Sequence, residues 1–133
     1  MDCVAPFDEV TTPGTIITSP NYPGNYDDGM NCQLTVRFAA NEIVAITLDK
    51  FDVEDGSLCN YDYLTFYDGD TTSSRIIDKE LCGYSARGKT FKSTGNVMTL
   101  FFKSDDSVTR PGFKIYANNG MFDFNFLEWS VLV

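Results

Sequence analysis

Along much of this chain an apolar residue recurs at every second position, and this alternation constrains the fold more than any other feature. Leu34, Val36 and Phe38 share one face of the run Gln33 to Phe38. Val44, Ile46 and Leu48 do so in Glu42 to Phe51, Met98, Leu100 and Phe102 in Asn96 to Lys103, and Phe113 and Ile115 in Gly112 to Tyr116. Successive side chains of a strand point to opposite faces, so such runs bury one face of a sheet, whereas helical periodicity is weak throughout. Pro13-Gly14 turns into a short strand at Thr15 to Thr18, and the aromatic, β-branched run Tyr61 to Tyr67 stops at the turn pair Asp68-Gly69. Ser19 to Tyr26 is dense in turn formers and reads as an ordered loop, and Asp70 to Ser74 as a mobile polar tip. Strands separated by turn signals in this way predict an all-β sandwich whose core takes most of the 11 Phe and 7 Tyr.

The chemistry open to such a sandwich is narrow. The chain has no histidine, so the usual general base and the commonest metal ligand are both missing, and no Ser-His-Asp or Cys-His set can be built. A net charge of −9 disfavours phosphate backbones and anionic lipid, and favours cations and basic protein patches. The four cysteines, Cys3, Cys32, Cys59 and Cys82, are widely spaced with no CxxC. That argues against zinc and thioredoxin-like sites and for a disulfide framework, hence an oxidising, extracellular compartment. A bridge between sequence neighbours contributes about 3.5 kcal/mol by chain entropy. Counting alone leaves all three connectivities open. The length of 133 residues suits one domain. Met1-Asp2-Cys3 carries no basic, apolar leader, which reads as a module of a longer secreted protein. No apolar run reaches membrane-spanning length and no N-glycosylation sequon occurs, so neither membrane insertion nor N-glycosylation is expected.

A series of short pieces, in order, resembles the CUB domain: Gly14-Thr15-Ile16, Ser19-Pro20-Asn21-Tyr22-Pro23 with Tyr26, Phe51-Asp52-Val53-Glu54, Cys59-Asn60-Tyr61-Asp62-Tyr63-Leu64, Tyr67-Asp68-Gly69, Leu81-Cys82-Gly83, Phe102-Lys103-Ser104-Asp105-Asp106-Ser107 and Gly112-Phe113. Together with Cys3 and Cys32 they cover residues 3–117. The resemblance implies a jelly-roll-like β-sandwich of two antiparallel sheets with disulfides Cys3–Cys32 and Cys59–Cys82. It is to the calcium-binding type of complement and tolloid-type proteases. Many members carry an aromatic where Leu34 stands, so a repacked core is expected there.

The same resemblance makes Glu54, Asp62 and Asp105 the acidic ligands of a Ca2+ ion, with the Ser107 carbonyl as a further ligand and Tyr26 hydrogen-bonding the site and holding Glu54. Calcium takes six to eight oxygens, carboxylates first, and three acidic loops at one end of a sandwich supply that chemistry. Family members often have Asn after that serine, whereas Val108 offers only a carbonyl. The alternative is a set of solvated acids on an acidic surface. Asp52, Asp55 and Asp106 read as such solvated neighbours.

The resulting expectation is a non-catalytic, secreted module. It mediates calcium-dependent protein–protein interaction through acidic loops that receive a Lys or Arg of an extracellular partner; Tyr22 and Tyr26 are candidate contacts, but packing in the core or a loop is the favoured role for both. A calcium-independent carbohydrate- or ligand-binding module of spermadhesin type, or a targeting module of a secreted protease, is the alternative. Paired carboxylates can cleave glycosides, but acids on short loops of a small module leave no obvious cleft. Residues 118–133 lie beyond the family pattern. They are apolar for a terminus, hold the only Trp and alternate at Phe122, Phe124 and Phe126. They read as a tail that can be deleted from residue 120 without loss of the fold.

Overall fold

In the computed structural model, residues 9–121 are described. They form nine strands: β1 (Glu9–Val10), β2 (Thr15–Thr18), β3 (Asn31–Arg37), β4 (Glu42–Asp52), β5 (Tyr63–Tyr67), β6 (Ile76–Leu81), β7 (Thr90–Lys92), β8 (Val97–Lys103) and β9 (Gly112–Met121). Among the described residues a single 3-10 turn lies at Ser57–Cys59. No helix among the described residues is long and apolar enough to cross a membrane.

The strands make a five-stranded sheet, ordered β1-β3-β8-β5-β6, and a four-stranded sheet, ordered β2-β9-β4-β7. The expected all-antiparallel pairing holds except at one edge, where β1 runs parallel to β3. The alternating residues do what their period dictates. Leu34, Val36, Val44, Ile46, Leu48, Met98, Leu100, Phe102, Phe113 and Ile115 are all fully buried in one core between the sheets. Leu34 fills its place at 0% exposure without an aromatic ring. Removing such side chains from water is the main favourable term in folding, roughly 1.5–3 kcal/mol for each large one.

Three strands have no clear signal in the sequence. β1 is two residues and β7 three, too short for a period. β6 breaks its alternation at a bulge: its register against β5 shifts between Leu64 and Phe66, and Asp78 there has φ 67. β9 runs further than expected. Asn118 to Met121 continue the ladder on β4 as far as Glu42, so this part of the predicted tail is sheet. The remainder, with its alternating phenylalanines, lies outside the described residues.

The disulfide Cys59–Cys82 is formed, with Cα atoms 5.5 Å apart. The other expected bridge, Cys3–Cys32, has one end outside the described residues, and Cys32 is not free.

Candidate metal centre

Pairing of β5 with β8 puts Tyr63 opposite Lys103, so Asp62, just before β5, and Asp105, just after β8, emerge side by side at one end of the sandwich. β4 delivers Glu54 to the same end from the other sheet. There the backbone of Val53 exchanges two hydrogen bonds with Gly83, at 3.0 and 2.8 Å, and so fixes the exit of the strand. One carboxylate oxygen from each of Glu54, Asp62 and Asp105 lies within 4.8 Å of the others.

Tyr26 locks this arrangement, hydrogen-bonding both Asp62 and Glu54. Its hydroxyl donates to Asp62 Oδ2 at 2.6 Å and accepts from the backbone N–H of Glu54 at 3.0 Å. It therefore holds the carboxylate of Asp62 and the main chain of Glu54, not the Glu54 side chain. Its ring is 1% exposed and packs edge-on against Phe102, at 4.9 Å between centroids, and Phe102 in turn against Phe113 at 5.2 Å. A partner contact by Tyr26 is thereby excluded, while Tyr22 is half-buried.

The loop that carries Tyr26 is ordered by the segment before β9. Asn25 Nδ2 donates to the Thr109 carbonyl at 3.1 Å, and the Tyr26 N–H to the Arg110 carbonyl at 3.1 Å. Gly112, at φ 89, is required beside it, because a Cβ there would collide with Ser19 Oγ and press on the Tyr26 ring.

Asp62 is fully buried, and its other oxygen accepts from the Asp105 N–H at 2.8 Å. Burial pushes its carboxyl above the usual range, against the pull of the hydrogen bonds from Tyr26 and Asp105. Glu54 is also raised, by desolvation first and then by the charges of Asp62 and Asp105. Its Oε1 is buried with no hydrogen-bond partner. Ser107 is exposed and gives its N–H to Asp105 Oδ1 at 3.3 Å. Asp52, expected to be merely solvated, is held by Arg110 through hydrogen bonds of 3.0 and 3.1 Å, so this guanidinium is engaged outside the acidic triad.

These residues fit a calcium ion. Calcium–oxygen distances of 2.3–2.6 Å allow ligands up to about 5 Å apart. The carboxylates meet that spacing, and Glu54 Oε1 is a buried acceptor without a donor. Glu54, Asp62 and Asp105 would hold the ion, whose charge would offset their mutual repulsion.

The CUB domain family model matches residues 6–116. The chain belongs to the CUB domain family. The adhesion G-protein coupled receptor G6 of Danio rerio is 41% identical over 98 residues, which are 74% of this chain and 8% of the receptor. The full extracellular region of zebrafish Gpr126/Adgrg6 superposes with a TM-score of 0.76 at 35% identity, covering 85% of this chain and 14% of that one. The MASP-1 CUB2 domain bound to Ca2+ superposes with a TM-score of 0.73 at 25% identity, covering 84% of this chain and 96% of that one. The CUB domain thus spans a small fraction of the curated relative, and its likeness to MASP-1 CUB2 is to a domain of the same size.

Proposed function

We propose that this CUB domain is an extracellular calcium-binding module that mediates protein–protein interaction, with Glu54, Asp62 and Asp105 as the acidic ligands and Ser107 as a further one. The reading rests on one observation: three carboxylates converge at the end of the sandwich around a buried, unpartnered oxygen of Glu54. The calcium-bound state of the similar MASP-1 CUB2 domain supports it. A carboxylate that shares a cation keeps acceptor capacity, so a Lys or Arg of a partner can add a charge-assisted hydrogen bond. The module does no chemistry of its own and serves as a targeting or assembly part of a longer extracellular protein.

Thermal unfolding in millimolar calcium and in EDTA tests this. At ten times the dissociation constant, binding adds about 1.4 kcal/mol, which raises the midpoint by several degrees in a domain of this size. An unchanged midpoint, with removal of the ion verified by elemental analysis, overturns the reading.

A further inference from the structure

An aspartate or asparagine followed by glycine is among the main-chain pairs most reactive toward their own side chain. The glycine nitrogen, unshielded by a Cβ, attacks the side-chain carbonyl carbon and closes a five-membered succinimide ring. Such pairs stand at Asp28-Gly29, Asp55-Gly56, Asp68-Gly69 and Asn119-Gly120. The fold treats them differently. The Gly29 N–H donates to the Asp105 carbonyl at 2.7 Å. The Gly69 N–H donates to the Tyr67 carbonyl at 3.0 Å, and the Asp68 carboxylate is taken by Thr94 and Arg75. Asn119 and Gly120 lie in the ladder opposite Val44 and Ile43, and the Asn119 amide donates to Glu42.

At Asp55-Gly56 the glycine N–H points to the side chain before it. It donates to Asp55 Oδ1 at 2.9 Å and to no other acceptor among the described residues. The carboxyl is thus folded back over the amide that would attack it. It also rests against the Cys82-Gly83 segment: Oδ1 lies 3.6 Å from Cys82 Sγ, and a Cβ added to Gly83 would come within 3.4 Å of Asp55 Cγ. Reacting groups held together in this way turn a slow encounter into a faster intramolecular step. Asp55 is exposed on a loop between β4 and the 3-10 turn, so water enters and leaves freely. The glycine cannot be exchanged for a protecting residue, since a Cβ at Gly56 would collide with the Tyr61 ring. The residue that makes the bond reactive is the one that lets the loop close on Tyr61.

We propose that Asp55-Gly56 is a site of spontaneous covalent modification, at which the folded chain forms a succinimide and then isoaspartate. The Gly56 nitrogen bonds to Cγ of the protonated Asp55 carboxyl. The Cγ–OH bond breaks, and the hydroxyl leaves with the amide hydrogen as water. Water then adds to the main-chain carbonyl of the ring, and the bond from that carbon to the Gly56 nitrogen breaks. The nitrogen takes a proton and stays bonded to Cγ, while the former main-chain carbonyl becomes a free carboxyl. No atom is gained or lost overall, and nothing is oxidised or reduced. The main chain now runs through the Asp55 side chain and is longer by one methylene. That methylene lies between Glu54 and the Cys59–Cys82 bridge, so modified chains bind calcium more weakly. This consequence rests on the calcium reading, whereas the modification itself does not.

The test keeps the whole chain at body temperature in neutral buffer for several weeks, folded and, in parallel, unfolded in guanidinium chloride. Peptide mass spectrometry, with fragmentation that separates aspartate from isoaspartate, then maps the three aspartates. In the folded chain Asp55 is expected to convert about tenfold faster than Asp28 or Asp68, and in denaturant, where all three are equally free, the difference disappears. Asp55→Glu, which needs a larger ring, removes the signal at this position and leaves Asp28 and Asp68 as they were. Equal conversion of the three in the folded chain, no isoaspartate at Asp55, or the same preference in denaturant overturns the proposal. Modified and unmodified chains, separated by chromatography, are then melted with calcium and with EDTA. A smaller calcium shift in the modified chain is expected, and an equal one overturns the coupling to Glu54. Should the fresh protein show no calcium shift, the calcium reading fails, while the isoaspartate map still decides the modification.

Discussion

The hydroxyl of Tyr26 stands between Asp62 and Glu54, donating to the Asp62 carboxylate at 2.6 Å and accepting from the Glu54 N–H at 3.0 Å. One oxygen atom thereby ties the five-stranded sheet to the four-stranded one at the end where the carboxylates meet. Burial and the neighbouring Asp62 carboxylate both hold the phenol far above its normal range, so it stays a proton donor at every physiological pH.

Tyr26→Phe keeps the ring against Phe102 and removes only this bridge. It leaves a buried carboxylate oxygen and a backbone N–H without their partner, which costs about 1–3 kcal/mol. Urea unfolding in EDTA measures the loss. Calcium affinity, measured by titration, falls as well, because Asp62 is no longer held.

Asp105→Asn removes one negative charge and retains an oxygen for the Ser107 N–H. We expect the variant to fold, to unfold in EDTA at a midpoint no lower than that of wild type, and to lose the calcium-induced rise. The pair of melts reads both effects, and a wild-type calcium response would remove Asp105 from the ligand set.

Two carboxyls give opposite pH dependences. Glu54 is raised in the folded state, so the folded protein holds its proton more tightly than the unfolded one. In EDTA its penalty is absent below the usual glutamate value of about 4.3 and sets in as pH rises through the folded value. Glu54→Gln is therefore more stable than wild type at neutral pH, and the difference closes on acidification. Asp68 is lowered: burial alone raises it, but the N–H and hydroxyl of Thr94 and the Arg75 guanidinium outweigh that. Its contribution is present above the unfolded aspartate value of about 3.9 and is lost as pH falls through the folded value. Asp68→Ala costs about 2 kcal/mol at neutral pH and little below that range. Urea midpoints across pH check both.

Replacing Cys59 and Cys82 together by serine opens a loop with a sequence separation of 23 residues. Chain entropy sets the loss at about 3.5 kcal/mol. Cys59 lies on the loop between Glu54 and Asp62, so calcium titration of the double variant is expected to give a weaker affinity than wild type at a temperature where both are folded.

The sheets were largely legible because their information is local. Val44, Ile46 and Leu48 point inward whatever they pair with, since alternation is a property of a single strand. β6 escaped notice for the same reason reversed: its bulge at Asp78 is imposed by pairing with β5, and it breaks the alternation that would have marked the strand. Asp52 and Asp68 looked like plain surface acids or turn residues, and only folding brought Arg110 to the one and Thr94 and Arg75 to the other.

What the sequence determined by itself is therefore the strand pattern, the all-β class and the exclusion of histidine chemistry, because each depends on residue type and near neighbours. The tertiary structure decided what no window of sequence contains. It placed Glu54, Asp62 and Asp105 within 4.8 Å of one another, and it bridged the Asp62 carboxylate and the Glu54 main chain with the Tyr26 hydroxyl. These relations join residues far apart in the chain, and their energies exist only once strand pairing has closed the loops between them.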